Sequence, residues 1–391
     1  MYAPARSASR PRRRRLVAAF GILVFALLAA GCSDAGDGGP VWQSGAGPGP
    51  TGAATPVGAS PSSKPDEPSE TVSLAATGDV IMGNAPSRLP ANGGKGFFDD
   101  VKAALKADLM MGNLEEPLTE DTGTGKCAPG ATKCFQFRAP PGYAAHLRDA
   151  GFHLLNQANN HGYDYGPRGY ENTKAALEAH GLKHTGAPGE ITVVEVRGVK
   201  IAVLGFSAYA WSNDLNDIEA AKRVVAQATE QADLVVVQVH MGAEGADQTR
   251  VKPGTEMYAG ENRGDPIRFS HAVIDAGADL VIGHSPHVLR GMEFYKGRLI
   301  AYSLGNFAGG GKSLSSTGRL GWGGVLKVSL TADGSFVDGG FTSTAMNGVG
   351  RPGIDGQHRG LGLVREVSKA DFPKTGARLD ANGRITAPAG G

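Results

Sequence analysis

Cysteine is scarce, with three among 391 residues, and none lies within the histidine-containing clusters described below. The residues of those clusters therefore argue against a thiolate zinc site there, and a two-Cys metal site at Cys127 and Cys134 is the rival of their disulfide. The 59 glycines and 23 prolines show no Gly-X-Y period, so a collagen-like rod is excluded too. There is no internal repeat and no Gly-x-x-x-x-Gly-Lys-Ser/Thr phosphate loop, so polymer synthesis from ATP is not a task for this chain alone. Basic excess is also missing. The formal net charge is +1, and six arginines (6, 10, 12, 13, 14 and 15) sit in residues 1–31 with no acid. Without that segment, 33 basic residues face 38 acidic ones, and nothing electrostatic favours nucleic acid. What is present is 41% hydrophobic residues, enough for a core, in a length that suits one large domain or two ordinary ones.

The apolar run over 16–30 is fifteen residues, short for a membrane span but suited to a signal-peptide core behind Arg12 to Arg15. It ends Leu28-Ala29-Ala30-Gly31-Cys32, which resembles a bacterial lipobox, with Ala29 where Leu is usual. The expectation is a lipoprotein signal over 1–31 and lipidation of Cys32, placing the protein outside the cytoplasm and anchored to the bacterial cell membrane. An ordinary secreted protein or a retained N-terminal anchor is the alternative. Residues 33–70 are 28 parts in 38 Gly, Pro, Ala, Ser or Thr. That composition cannot offset its ordering entropy, so 32–70 reads as a disordered tether. Cys127 and Cys134 lie seven apart in a Gly/Pro loop, and an oxidising exterior permits their disulfide.

From residue 71 onward, strand and helix patterns alternate. Strands are expected over 72–77, 108–111, 152–157, 234–239 and 280–282, and a hairpin over 191–206. Helices are expected over 97–106, 143–150, 168–180, 218–229 and 267–276. The pattern then turns β-rich, with strands over 288–294, 299–303, 325–330 and 336–342. This order implies an α/β sandwich with mixed sheets, its domain over 71–345. A Gly-rich segment over 346–391 partly completes the domain, with a frayed tail from Arg378.

Five polar clusters follow five apolar runs: Thr77-Gly78-Asp79, Gly112-Asn113-Leu114-Glu115, Ala158-Asn159-Asn160-His161 with Asp164, His240-Met241-Gly242-Ala243-Glu244, and Gly283-His284-Ser285-Pro286-His287. Ligands of α/β sheets gather beyond the carboxyl ends of strands. Oxygen and imidazole donors without thiolates suit Mn, Fe or Zn.

With Tyr302-Ser303-Leu304-Gly305-Asn306-Phe307 and Phe137-Arg138-Ala139-Pro140-Pro141, these motifs resemble, in order over roughly 72–310, the CapA family of poly-γ-glutamate capsule-synthesis proteins. That family is similar to the calcineurin-like metallophosphoesterases, which implies an α/β/β/α sandwich around one or two divalent ions. The resemblance implies that Asp79, Glu115, Asn160, His240, His284 and His287 hold metal. It further implies that His161 is the catalytic acid, and that Asn113, Asp164 and Glu244 orient these groups.

Two departures bear on this. Ile81 stands where the phosphoesterase first motif has a second ligand, His, which leaves the ion count at one or two. Residues 249–265 look inserted relative to the family, and Asn84 stands where Arg is common. Lys252, Tyr258 and Arg263 of the insert are either contacts for an anionic chain or part of a solvated loop. His358 and Arg359 are candidates for the rim of the site. The implied function is handling of an anionic surface polymer, poly-γ-glutamate or a relative, by metal-assisted hydrolysis or transfer at a phosphoester, ester or amide. Capsule-assembly membrane proteins are the implied partners. A non-enzymatic polymer-binding or export-assembly subunit, and a general surface metallophosphatase, are the alternatives.

Overall fold

The computed structural model describes residues 71–128 and 130–388; the leader over 1–31, Cys32 and the tether over 32–70 lie outside the described residues. Chain order begins with β1 (Thr71–Ile81), β2 (Leu109–Leu114), α1 (Ala144–Ala150), β3 (Leu154–Asn156), α2 (Gly166–Ala179) and β4 (Lys183–Thr185). It continues with β5 (Thr192–Val196), β6 (Val199–Ser207), β7 (Asn213–Asp214), α3 (Ile218–Thr229), β8 (Leu234–His240), β9 (Met257–Tyr258), β10 (Glu261–Asn262) and α4 (Pro266–Asp275). Then come β11 (Leu280–His284), β12 (Met292–Tyr295), β13 (Arg298–Ala301), β14 (Asn306–Gly309) and β15 (Trp322–Thr331). Last are β16 (Phe336–Met346), β17 (Pro352–Ile354), α5 (Arg359–Asp371), β18 (Arg378–Leu379) and β19 (Arg384–Thr386).

Two large mixed sheets result. The first has ten strands and runs β18-β19-β16-β15-β1-β2-β3-β4, with β14 on β1 and β17 on β16. The second has seven and runs β12-β13-β11-β8-β6-β5, with β7 on β6. Parallel pairing joins β1 to β4 in the first and β6, β8, β11 and β13 in the second. Parallel strands need both faces covered, and β8, Leu-Val-Val-Val-Gln-Val-His, is buried at every residue. The expected hairpin is β5–β6, turned by Arg197 and Gly198 at φ 51° and 80°, the positive values a two-residue turn requires.

The main core lies between the sheets, where Leu74, Ala76 and Met111 join Val203, Val236 and Ile282. Leu147 of α1 and Leu177 of α2 cover the outer face of the first sheet. Val225 of α3 and Phe269 of α4 cover the second. The order is therefore the α/β/β/α sandwich. Each such side chain contributes about 1.5–3 kcal/mol on burial. No helix among the described residues is long and apolar enough to cross a membrane.

Three expectations need correction. Residues 97–105 form consecutive turns and not a helix; Phe97, Asp99, Val101 and Ala104 each donate to the carbonyl three residues back. Phe97, Phe98, Val101 and Leu105 are nevertheless buried, so apolar spacing alone did not separate the two conformations. The tail is ordered through residue 388: β18 and β19 pair, β19 pairs with β16, and Leu379 and Ile385 are buried. His358 and Arg359 do not line the cleft described below. They start α5, whose Leu361, Val364 and Val367 enter the main core, and Arg359 pairs with Asp355 at 2.9 Å.

Candidate metal centre

Strand register assembles the site. Asp79 of β1 pairs with Asn113 of β2, and Asn113 with Asn156 of β3. In the other sheet, His284 of β11 pairs with His240 of β8, and His240 with Ser207 of β6. At Gly78 a Cβ would lie 1.9 Å from the Gly305 carbonyl, so only glycine allows that approach. The Asp79 N–H donates to the same carbonyl at 2.9 Å, which fixes the carboxylate at the sheet end.

Asp79, Glu115 and His287 offer ligand atoms within 4.8 Å of one another. His240 Nε2 lies 3.8 Å from Glu115 Oε1, and His284 Nδ1 lies 3.5 Å from Asp79 Oδ1. Asp79, Glu115, His240 and His284 are fully buried. Among the described residues no hydrogen bond reaches either oxygen of Glu115, His240 Nε2, His284 Nδ1 or Asn160 Oδ1. A buried carboxylate without a donor costs several kcal/mol. These orphaned oxygen and nitrogen atoms fit a divalent cation.

The acidities follow from the same crowding. Burial pushes the Glu115 carboxyl well above its usual value and the His240 imidazole well below its own. Burial also works to raise Asp79, but His284 and His287 outweigh it and hold that carboxyl below the usual range. Burial opposes the charge of His287, yet Glu115, Asp79 and Glu244 together raise it well above the usual imidazole value.

The supporting groups are in place. Asn113 Nδ2 donates to Asp79 Oδ1 at 2.9 Å, while its Oδ1 accepts from Asn156 and Asn159 at 3.0 and 3.1 Å. Gln238 Oε1 lies 3.3 Å from His284 Nε2, leaving Nδ1 toward Asp79. Asn306 Oδ1 lies 2.8 Å from His287 Nδ1. Ser285 and His287 hold φ of 98° and 58°, strained for residues with a side chain. Asn159 spends its amide on Asn113, Leu114 and the His161 N–H, so the open amide oxygen belongs to Asn160.

His161 Nδ1 meets Asp164 Oδ2 at 2.7 Å, which leaves Nε2 for the cleft. Burial lowers its pKa against the pull of Asp164. Asp164 is buried and also accepts from the Phe137 N–H at 2.7 Å, while Lys126 Nζ stands 2.8 Å from its other oxygen. The Phe137 ring packs 4.7 Å from the His161 ring. Lys126 and Phe137 flank the Cys127–Cys134 disulfide, whose Cα atoms are 5.7 Å apart. Lys126 had no sequence signal beyond its place next to Cys127.

Asn160, His161, His287, Glu244, Lys126 and Phe137 line a cleft of about 690 Å³. Tyr209 and Trp211 form one wall, in a stack of Tyr163, Trp211 and Tyr209 with 4.8 Å between successive rings. They were missed, although they lie just past the carboxyl end of β6, the position that marks the other clusters. Tyr258 of the insert lines the cleft, whereas Lys252 is exposed and does not. Arg263 is 3% exposed and thus neither solvated nor free. Its donors reach Glu244 at 2.9 Å, Glu261 at 2.9 Å and Ser285 at 3.2 Å. Glu244 in turn faces His287 Nε2 at 3.7 Å. Asn84 lies apart, donating to the Gln136 carbonyl at 3.0 Å.

Two facing mixed sheets, with oxygen and nitrogen donors where their parallel strands end, define an α/β/β/α protein with a candidate metal centre. The chain belongs to the family described as bacterial capsule synthesis protein PGA_cap, whose model matches residues 73–310. It is 32% identical over 257 residues to the PGA biosynthesis protein CapA of Bacillus subtilis, covering 61% of this chain and 63% of that one. It is 33% identical over 262 residues to the capsule biosynthesis protein CapA of Bacillus anthracis, covering 61% and 60%. A probable polyglutamine synthesis accessory protein of Mycobacterium tuberculosis is 30% identical over 255 residues, covering 59% and 64%. The chain thus spans less than two thirds of the length of these relatives. Among solved structures, a 5'-nucleotidase precursor from Thermus thermophilus aligns at TM-score 0.40 and 13% identity, covering 78% of this chain and 60% of that one. The layer order rests on this chain's own sheets and cores.

Proposed function

We propose that this chain is an extracytoplasmic protein, lipid-anchored through Cys32, that handles an anionic cell-surface polymer such as poly-γ-glutamate through a metal-dependent hydrolase-type cleft. Family membership and the names of the relatives support the polymer. The Arg-led apolar run and Cys32 support the address. One observation carries the chemistry: Glu115 is buried with neither oxygen hydrogen-bonded among the described residues, facing His240 and His287.

Asp79, Glu115, His240, His284 and His287 would hold the ion, and Asn160, whose Oδ1 has no hydrogen-bond partner among the described residues, is the further candidate ligand. The chemistry that a divalent cation would supply there, when bound, is polarisation of an ester, phosphoester or amide and activation of water. His161 exchanges a proton with the occupant of the cleft at Nε2, because Asp164 fixes Nδ1. Tyr209 and Trp211 narrow the cleft and exclude water around that atom. A binding or export-assembly subunit is the second reading. It is favoured by Ile81, which is apolar and fully buried where a further ligand would stand.

Metal content of the purified chain, wild type and Glu115→Gln, separates the two. Stoichiometric Mn, Fe or Zn in the wild type that is lost in the variant supports the enzyme. A wild type that takes up none after reconstitution sinks it.

A further inference from the structure

The cleft is poorly equipped to hold a polyanion by itself. Arg263 is spent on Glu244 and Glu261, and Lys126 on Asp164, which leaves Lys133 as the one lysine or arginine of the cleft without an ion pair among the described residues. Unspent cations lie next door. A second cavity of about 570 Å³ is lined by Arg88, Lys95, Lys312 and Arg351, with no Asp or Glu among its described lining residues. Among the described residues, the first three make no ion pair, and all three are exposed. Two acids flank the cavity: Asp99, whose Oδ2 lies against the lining Gly96, and Asp100, which pairs with Arg351 at 3.1 Å, although the buried Arg351 Nε has no hydrogen-bond partner among the described residues.

The cavity is built by tight backbone packing. A Cβ on Gly311, at φ +63°, would lie 2.1 Å from the Arg88 carbonyl, so the 310–312 turn is pressed onto the turn that carries Arg88. Lys312 itself holds φ 63°, a strained value for a residue with a side chain. Arg351 is set by its N–H donating to Asn347 Oδ1 at 3.0 Å. The backbone that carries Arg88, Lys312 and Arg351 is therefore held in place, while the charged ends of Arg88 and Lys312 remain exposed. Gly311 and Lys312 line this cavity, and the next three residues, Ser313, Leu314 and Ser315, line the cleft. One short segment is thus the wall between the two.

We infer that Arg88, Lys95, Lys312 and Arg351 form a docking site for the carboxylates of an anionic polymer, which then crosses the 311–315 wall into the cleft. The choice of polycarboxylate rests on the proposed function; the anion site itself rests on the cavity. Exposed charge contacts are individually weak and screened by salt, so recognition here needs several carboxylates at once.

The test is fluorescence anisotropy of labelled poly-γ-glutamate with the full chain, at low and at physiological salt. The site variant carries Arg88→Ala, Lys95→Ala and Lys312→Ala. A control variant carries Lys183→Ala, Arg223→Ala and Lys369→Ala, all exposed and outside both cavities. The expected result is binding about 10- to 100-fold weaker in the site variant, with a shallower salt dependence, an unchanged melting temperature and unchanged metal content. The control variant stays close to wild type. Equal weakening in both variants, or none in the site variant, overturns the docking site. A wild type that ignores poly-γ-glutamate but binds polyphosphate through the same three residues upholds the anion site and overturns the poly-γ-glutamate reading. A wild type that binds neither polyanion overturns the site itself.

Discussion

Glu115 and Glu293 are the same residue at nearly the same depth, 0% and 4% exposed, in opposite circumstances. Glu293 on β12 is surrounded by donors: Tyr302 Oη at 2.7 Å, Thr375 Oγ1 at 2.8 Å and His271 Nε2 at 3.0 Å. Burial works to raise its pKa, but those donors prevail and hold it below the usual value. Glu115 has no donor among the described residues, and burial pushes it the other way. Glu293 is a finished knot tying β12 to α4, β13's end and the loop after α5. Glu115 is left without a hydrogen-bond donor among the described residues, and under the proposed function a cation would complete it. The lesson is that burial alone does not mark function; burial without satisfaction does.

The largest expected effect is on metal. Asp79→Ala or Glu115→Gln should weaken metal affinity by more than about 100-fold, beyond the loss typical of a supporting residue. Glu293→Gln should leave it unchanged. Metal content after dialysis against a buffered ion reads this directly, and a Glu115→Gln protein that keeps stoichiometric metal would break the comparison.

Stability should move in the opposite order. In chelator, Glu293→Ala strands three donors and should cost about 3 kcal/mol. Glu115→Gln should cost nothing or stabilise, because it removes an uncompensated buried acid. Urea unfolding of the metal-free proteins measures both. A loss as large for Glu115→Gln as for Glu293→Ala would show that Glu115 has an unseen structural partner.

Asp164 sharpens the contrast as a third buried carboxylate, held by His161, the Phe137 N–H and the Lys126 ammonium and in contact with the cleft through His161. Under the proposed hydrolase reading, Asp164→Asn should lower turnover of the ester, phosphoester or amide by about 10- to 100-fold, with metal content retained. A KM change without a kcat change would assign Asp164 to binding.

The sequence carried much of this architecture, for physical reasons. Parallel strands buried on both faces read as short apolar runs, and their polar ends mark where backbone stops pairing, so Asp79, Glu115, His240 and His284 could be located. Residues 97–105 could not, because turns with three-residue hydrogen bonds bury the same spacing as a helix. α5 was hidden by its glycines, and its helix is stabilised by Leu361, Val364 and Val367 in the core rather than by propensity. Arg263 offered solvated or binding readings because its partners come from elsewhere in the chain: Glu244, Ser285 and the rings of Tyr209 and Tyr258. Glu293 carried no motif, since a knot made with Thr375, 82 residues away, leaves no local pattern.

The smallest effect is the most discriminating, because it reverses sign between the two glutamates. Glu293 has a depressed pKa in the fold, so its contribution is present above the unfolded carboxylate value of about 4.3 and is lost as pH falls through the folded value. The margin of wild type over Glu293→Gln, in chelator, should shrink on acidification through that range. Glu115 has a raised pKa, so the fold prefers its protonated form. Its contribution is present below the unfolded value and is lost as pH rises through the ordinary carboxylate range and beyond. Glu115→Gln should therefore gain on wild type with rising pH, while Glu293→Gln falls behind. Denaturant curves for the three metal-free proteins at several pH values give both slopes. Two slopes of the same sign would mean that Glu115 is already satisfied inside the chain.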